Sequence, residues 1–319
     1  MLQIEFRAFG SAIRALIDAE DGGAAAVLAE VPVWFEHWEG RLSRFRPESE
    51  LSRLNGRPGR WIRASSTLWE VARCARWAAR VSGGLVVPHV LGDLLRAGYD
   101  RSFGALDALD ACERPAAGDE PRSAREATRA AVADRARRRG PRLRHRGRRI
   151  RVSPGWELDL AGVAKAWAGQ QAAARLAGYG PALVDAGGDI AVTAPPRGSV
   201  GWPIGLDLPG GAREIVLGCG GVATSGTDFR RWRRGNAVSH HIIDPRTAEP
   251  ARTDISAATV VAPTLLQADV SAKAVLILGS RDGPSWLAGR PHYGALLALG
   301  DGSVVTIPAS VPVSGRGAR

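Results

Sequence analysis

Lysine is almost missing from this chain of 319 residues. Of its 43 basic residues only Lys165 and Lys273 are lysine, and the other 41 are arginine. Wherever a surface merely needs positive charge the sequence uses arginine, so a surviving lysine either is a chance surface residue or marks a phosphate-handling site that uses a compact ammonium with three rotatable donors rather than a planar fork. Cysteine is scarce as well. Cys74, Cys112 and Cys219 are scattered, odd in number and without CxxC or Cys/His spacing, which argues against a disulfide framework and against structural zinc. No apolar run approaches the ~18 residues of a membrane span. The opening Met1-Leu-Gln-Ile-Glu-Phe-Arg7 lacks an apolar signal core, so the expected location is the cytoplasm, with no membrane span. What is present is a 45% apolar composition, enough for a full globular core, in a length that suits one large domain or two ordinary ones.

The net charge of +11 is concentrated. Ten arginines and no acidic residue lie between Arg135 and Arg151, and without those ten the chain stands at +1. Such a run could neutralise phosphates. It contains no aromatic side chain on which bases would stack, and the expected reading is a solvated connection or edge hairpin, with no nucleic-acid partner.

Along the chain, short strands are expected at 4–7 and 12–17 around a turn at Phe9-Gly10-Ser11. A helix over 21–40 presents Val27, Leu28, Val31, Trp34, Phe35 and Trp38 on one face, with Pro32 as its helix start or kink. Ser49 caps a single helical turn that ends at Asn55-Gly56, and Ser65 caps an amphipathic helix to 81. Residues 104–134, apolar-poor, read as a connection. Strand signals then recur at 148–152, a helix at 162–177, strands at 182–192, 203–208 and 213–217, an apolar helix near 264–278 and a last strand pair near 293–307. The mixture of helices with many antiparallel-looking strands predicts an α+β fold. Residues 306–319 read as a frayed tail.

Four constellations could carry chemistry. Asp159-Leu-Ala-Gly162-Val-Ala-Lys165 opens a helix, where free N–H groups and the positive dipole end favour an anion; a capping Asp and a surface Lys explain it equally well. Val184-Asp-Ala-Gly187-Gly188-Asp189 is a tight turn after a strand, a bulge or a place of close backbone approach to a ligand. Ala223-Thr224-Ser225-Gly226 precedes an arginine cluster, Arg230–Arg234, suited to phosphates, and the adjacent His240-His241. One of these histidines could take a hydroxyl proton, and His240 is expected to be an exposed neighbour. Asp269 and Lys273 stand four residues apart in an apolar helix, as an ion pair or as ligands to a metal or phosphate.

These segments together resemble the FAD:protein FMN transferase, or ApbE-like, family. The matching stretches come in family order: Phe9–Ser11, Ser49–Asn55, Ala97-Gly98-Tyr99-Asp100, Asp159–Lys165, Leu183–Ile190, Ala223–Gly226, His241–Thr247 and Val260–Gly279. The resemblance implies a single large domain over 1–305, an ApbE-like, T-fold-like arrangement of mixed sheets packed with helices, with the Arg-rich connection at 104–150. It implies transfer of FMN from FAD to a threonine hydroxyl of an acceptor protein, with AMP released and Mg²⁺ assisting. By the same resemblance Ala97, Gly98, Tyr99, Asp159 and Lys165 contact FAD, Thr224, Ser225 and Gly226 line its site, and His241 lies by the flavin phosphate as a catalytic residue with Lys165. Gly162 offers a backbone carbonyl to the metal and Asp269 is its carboxylate ligand.

The sequence departs from the family pattern in places. The family commonly sets a metal-binding threonine four residues after the metal Asp, and here that position is Lys273, which is not expected to ligate. The family's Phe-Asp-Pro-Thr is Val86-Val87-Pro88-His89, its Met-Gly-Thr begins with Phe9, and the Gly after its His-x-x-Asp-Pro-x-Thr is Ala248. The alternatives these departures leave are a flavin-binding protein that holds FAD without transfer, and an FAD pyrophosphatase giving FMN and AMP.

Overall fold

The computed structural model describes residues 1–20, 22–102, 142–209, 211–234 and 237–309. The connection expected over 104–134, the arginines at 135–139 and residues 310–319 of the expected tail lie outside the described residues.

Strands β1 (Leu2–Ala8) and β2 (Ser11–Ile17) form the first hairpin, and both residues of its two-residue turn, Phe9 and Gly10, have positive φ of 52° and 67°. That geometry matches the twist of the strands it joins. The single helix expected over 21–40 is two: α1 (Gly22–Ala29) and α2 (Val31–Leu42). Pro32 lies in the first turn of α2, where its missing N–H costs nothing, so proline restarts the chain there. Ser49 caps α3 (Glu50–Asn55) by accepting from Ser52 N, and Ser65 caps α4 (Ser66–Val81) by accepting from Leu68 N. The expected inward residues of α4, from Leu68 to Ala78, are buried. Helix α5 (Leu91–Arg96) follows. Strands β3 (Ile62–Arg63), β4 (Leu143–Arg146) and β5 (Arg149–Val152) make a small sheet in the order β3-β5-β4. The described arginines of the basic run thus sit on an edge hairpin, with Arg144, Arg146, Arg148 and Arg149 exposed.

The body of the molecule is an eight-stranded sheet. Its members are β1, β2, β6 (Ala182–Ala186), β7 (Ile190–Val192), β10 (Gly220–Gly226), β15 (Ile255–Ala262), β16 (Gly294–Leu299) and β17 (Val304–Ile307), in that order. Every neighbouring pair in it is antiparallel. On one face lie α6 (Ala161–Leu176), rich in alanine and buried along most of its length, and α7 (Leu265–Ala288). The helix expected to end near 278 is broken there by Gly279 (φ 79°) and continues to Ala288. Small residues bring α7 close to the sheet: a Cβ on Gly221 of β10 would stand 2.3 Å from Leu265 Cα. On the other face lies the hairpin β8 (Trp202–Leu208) and β9 (Gly211–Leu217). The strict alternation of β8 turns Trp202, Ile204, Leu206 and Leu208 onto Leu183, Ile190, Val192 and Val222 of the sheet. Each such side chain contributes about 1.5–3 kcal/mol by burial. Short hairpins β11 (Arg231–Arg234) with β12 (Ala237–His240), and β13 (Ile243–Asp244) with β14 (Glu249–Pro250), complete the described structure.

Candidate functional site

One end of the sheet opens into a cavity of about 560 Å³. The β1–β2 turn, the β6–β7 turn, the end of β10, the first turns of α6 and the second turn of α7 all reach it. Its wall includes Tyr99, Asp159, Gly162, Lys165, Thr224, Ser225, Gly226, His241, Asp269 and Lys273. Residues more than 170 positions apart in sequence therefore share one space. Of the site residues expected from the sequence, Ala97 and Gly98 are not on the wall.

The β6–β7 turn is built for close approach. Gly187 and Gly188 have φ of 66° and 87°, and a Cβ on Gly187 would lie 2.7 Å from Ser11 Cβ in the neighbouring turn. Glycine is required there. The Gly188 N–H donates to Asp185 Oδ1 (2.8 Å). Lys165, one turn into α6, reaches across to this turn. Its Nζ lies 2.9 Å from Asp189 Oδ2 and donates to the Gly187 carbonyl at 3.4 Å. Asp185 forms no ion pair among the described residues, and burial pushes its carboxyl above the ordinary range against the opposing charges of Arg14 and Lys165.

Asp159 does serve the start of α6, accepting from Ala161 N at 2.7 Å. Its other oxygen pairs with Arg44 Nε at 2.9 Å, with both side chains almost fully buried. Arg44 in turn donates to the Tyr99 carbonyl (2.8 Å), with its guanidinium 4.7 Å from the Tyr99 ring centre and 4.1 Å from that of Phe45. Tyr99 stacks on Trp232 at 5.3 Å, and Trp232 Nε1 donates to the Ala97 carbonyl (2.8 Å). The Ala97 carbonyl thus anchors the Trp232 ring on which Tyr99 stacks. Arg44 was not singled out from the sequence: in a chain with 41 arginines no single arginine stands out. Arg230, on the wall with its Nη2 3.3 Å from Ser11 Oγ, was visible only as part of a cluster.

His241 lines the cavity and is half-buried. Burial, with the nearby charges of Arg230 and Lys273, pushes its pKa down to about 3. The ring is neutral at ordinary pH, and its Nδ1–H donates to the Arg230 carbonyl (3.4 Å). That tautomer leaves the Nε2 lone pair free to accept a proton. His240 corrects an expectation. It is not an exposed neighbour but half-buried, with Nε2 donating to the Ala251 carbonyl (3.0 Å) and Nδ1 accepting from Ile242 N. Strand β12 turns it away from the cavity. Thr224 shares a hydrogen bond with Thr259 across the β10–β15 pair (2.8 Å). Val86 and Val87 line the wall, and the Pro88 carbonyl accepts from Asp159 N (2.7 Å).

Asp269 and Lys273 form an ion pair one turn apart on α7, with Nζ hydrogen-bonded to Oδ1. Burial holds the Asp269 carboxyl above the usual carboxylate range, with Lys273 opposing. The charges of Asp189 and Lys165 also bear on Asp269, so two acid–lysine pairs face each other. This donor set does not fit a resident Mg²⁺, which demands near-octahedral oxygen ligands. Gly162 can offer a carbonyl, but one of the two Asp269 oxygens is already claimed by an ammonium, which brings a like charge beside any cation and has donors but no lone pair. Among the described residues no three His, Cys, Asp or Glu side chains are grouped to hold a metal.

Comparison with known proteins agrees with this geometry. A sequence model of the ApbE family matches residues 9–297. The FAD:protein FMN transferase of Treponema pallidum is 29% identical over 297 residues, covering 86% of this chain and 78% of that protein. Among solved structures, the ApbE protein of Thermotoga maritima superposes with a TM-score of 0.80 at 22% identity, covering 96% of each chain. The flavin transferase ApbE of Vibrio cholerae gives 0.76 at 20% identity, over 97% of this chain and 98% of that one. The expected α+β fold is the observed one.

Proposed function

Because the chain belongs to the ApbE family, we propose that it is an FAD:protein FMN transferase and that the cavity described above is its active site. The substrate is FAD, and the acceptor is a threonine hydroxyl on a partner protein. The threonine oxygen forms a bond to the FMN phosphorus while the bond from that phosphorus to the bridging pyrophosphate oxygen breaks. AMP departs with the electron pair, and the hydroxyl proton passes to His241 Nε2. Little covalent chemistry falls to the protein in such a transfer, so positioning and neutralisation of charge supply the rate.

The single observation that carries this reading is the convergence of a neutral His241 with Lys165, Lys273 and Arg230 on one wall. A base and three cations in one cavity suit a pyrophosphate under attack by a hydroxyl. Lys165 at the opening of α6 contacts phosphate oxygens with the helix N–H groups behind it. Tyr99, held by Arg44 and Trp232, and Asp159 shape the seat of the dinucleotide. Thr224, Ser225 and Gly226 at the end of β10 form the adjoining wall. Residues 1–305 act as one catalytic unit. No helix among the described residues is long and apolar enough to cross a membrane. Action in the cytoplasm belongs to the same proposal, with Cys74 as a free thiol suited to a reducing compartment.

Incubating the protein with FAD and a threonine-bearing acceptor tests the reading. The expected result is flavin covalently on the acceptor and one AMP per flavin transferred, seen by mass spectrometry and nucleotide chromatography. Free FMN with AMP and no labelled acceptor would make the protein a pyrophosphatase instead. FAD that co-purifies unchanged would make it a flavin-binding protein.

A further inference from the structure

Resting on that reading, we propose that this active site does without a divalent cation, because the Lys273 ammonium stands in the place where a cation's charge would act on the pyrophosphate. Lys273 is on the cavity wall, tucked against Asp269, with 17% of its side chain still accessible. Lys165 repeats the arrangement against Asp189 on the other side, with 21% accessible. Each carboxylate fixes one donor of its lysine; Lys273 keeps two more for phosphate oxygens, and Lys165, which also donates to the Gly187 carbonyl, keeps one. Arg230 adds a third cationic side chain on the same wall.

Two independent observations support the assignment. The first is compositional. This chain has arginine at 41 of 43 basic positions, and both of its lysines stand on the wall of this cavity, each paired with a carboxylate. A compact ammonium puts its charge at one point beside the carboxylate, whereas a guanidinium spreads it over a planar fork. The second is electrostatic. An incoming divalent cation would have to part Lys273 from a buried carboxylate and then sit beside the displaced ammonium, while still giving up part of a tightly held hydration shell. As the pyrophosphate bond breaks, negative charge grows on the bridging oxygen that AMP takes away. Lys273 donates a hydrogen bond to that charge and keeps its proton, and the hydroxyl proton goes to His241.

The test has one arm that requires activity and one that does not. In the first, FMN transfer by the wild-type protein is measured with EDTA and with added Mg²⁺. Equal rates are expected, and a rate lost in EDTA and restored by Mg²⁺ would overturn the proposal. In the second, binding of Mn²⁺, as a paramagnetic probe, is followed by electron spin resonance with ADP present. The expected result is no Mn²⁺ bound beyond that held by ADP alone, whereas the Lys273→Thr variant gains a stoichiometric site that Asp269→Asn in the same background removes. A stoichiometric wild-type site abolished by Asp269→Asn would overturn the proposal. Where Lys273→Thr is active, its rate in EDTA falls about 100-fold, the scale of losing one preorganised charge-stabilising donor, and Mg²⁺ recovers it. Both wild-type measurements stand if that variant fails to fold. Absence of FMN transfer under every condition would sink the transferase reading alone, since the Mn²⁺ arm still decides whether Lys273 excludes the cation.

Discussion

His241 enters the reaction already deprotonated, because its burial beside two cations depresses its pKa to about 3. The acid limb of a transfer-rate profile that belongs to this residue therefore lies far below pH 6, and an inflection near 6.5 that vanishes in His241→Gln would contradict the placement. The same variant lowers transfer by about 10²–10⁴-fold if His241 is the base. The depressed pKa also makes folding pH-dependent. The unfolded imidazole binds a proton near its ordinary 6.5 and the folded one does not until about 3, so its contribution to stability is whole above 6.5 and is lost as pH falls. Asp269, raised by burial, acts with the opposite sign. The comparison of wild type with His241→Gln in denaturant melts between pH 4 and 7 isolates the histidine, and the variant should be the less acid-sensitive of the two. Arg44 gives a second residue-scale prediction. Arg44→Ala leaves Asp159 buried without its partner, a loss of about 3–5 kcal/mol in chemical denaturation. Arg44→Lys keeps the charge but loses the fork and the ring contacts, and should fall between the two. The two lysines were legible in the sequence because they were rare. Arg44 was not, because its neighbours in space, Tyr99 and Asp159, lie 55 and more positions away.

At the scale of elements, helix α7 presents Asp269 and Lys273 at a height set by its contact with β10. Gly221→Ala places a methyl against Leu265 backbone, and we expect a loss of about 1–3 kcal/mol as the helix end moves outward. Transfer should fall with it, because the Asp269–Lys273 pair rides on the same helix. Ser65→Ala removes the cap on α4 and should cost about 1 kcal/mol with transfer unchanged, a control for stability alone. Caps and amphipathic faces were the most legible elements: Ser49, Ser65 and the buried face of α4 depend only on nearest neighbours in sequence. Pro32, flagged in the sequence as a helix start or kink, divided one expected helix into two by starting the second. Where the sequence misled, packing decided: α7 outlived the break at Gly279 because its continuation packs back on the helix, Gly283 lying close to Val275. His240 looked exposed because adjacent residues on a strand alternate in direction, yet the bond to Ala251 on the returning chain covers it.

For the whole molecule, a cavity assembled from both ends of the chain ties ligand occupancy to global stability. FAD at a hundredfold its dissociation constant should stabilise the folded state by about 2.7 kcal/mol, read as a rise in the melting temperature that AMP alone reproduces only in part. The α+β class and the order of the motifs were legible along the sequence, whereas the strand order β1-β2-β6-β7-β10-β15-β16-β17 was not, since no local pattern says that β2 neighbours β6. That adjacency has a consequence during synthesis. Ile17 pairs with Ala182, so the N-terminal hairpin leaves the ribosome roughly ten to thirty seconds before the strand that covers its edge exists, at about 5–20 residues per second. For that interval an amphipathic ribbon, with the flank of β2 open as well as that of the end strand β1, must stay unjoined to any other nascent chain, which makes the first seventeen residues a natural client for a chaperone at the exit tunnel.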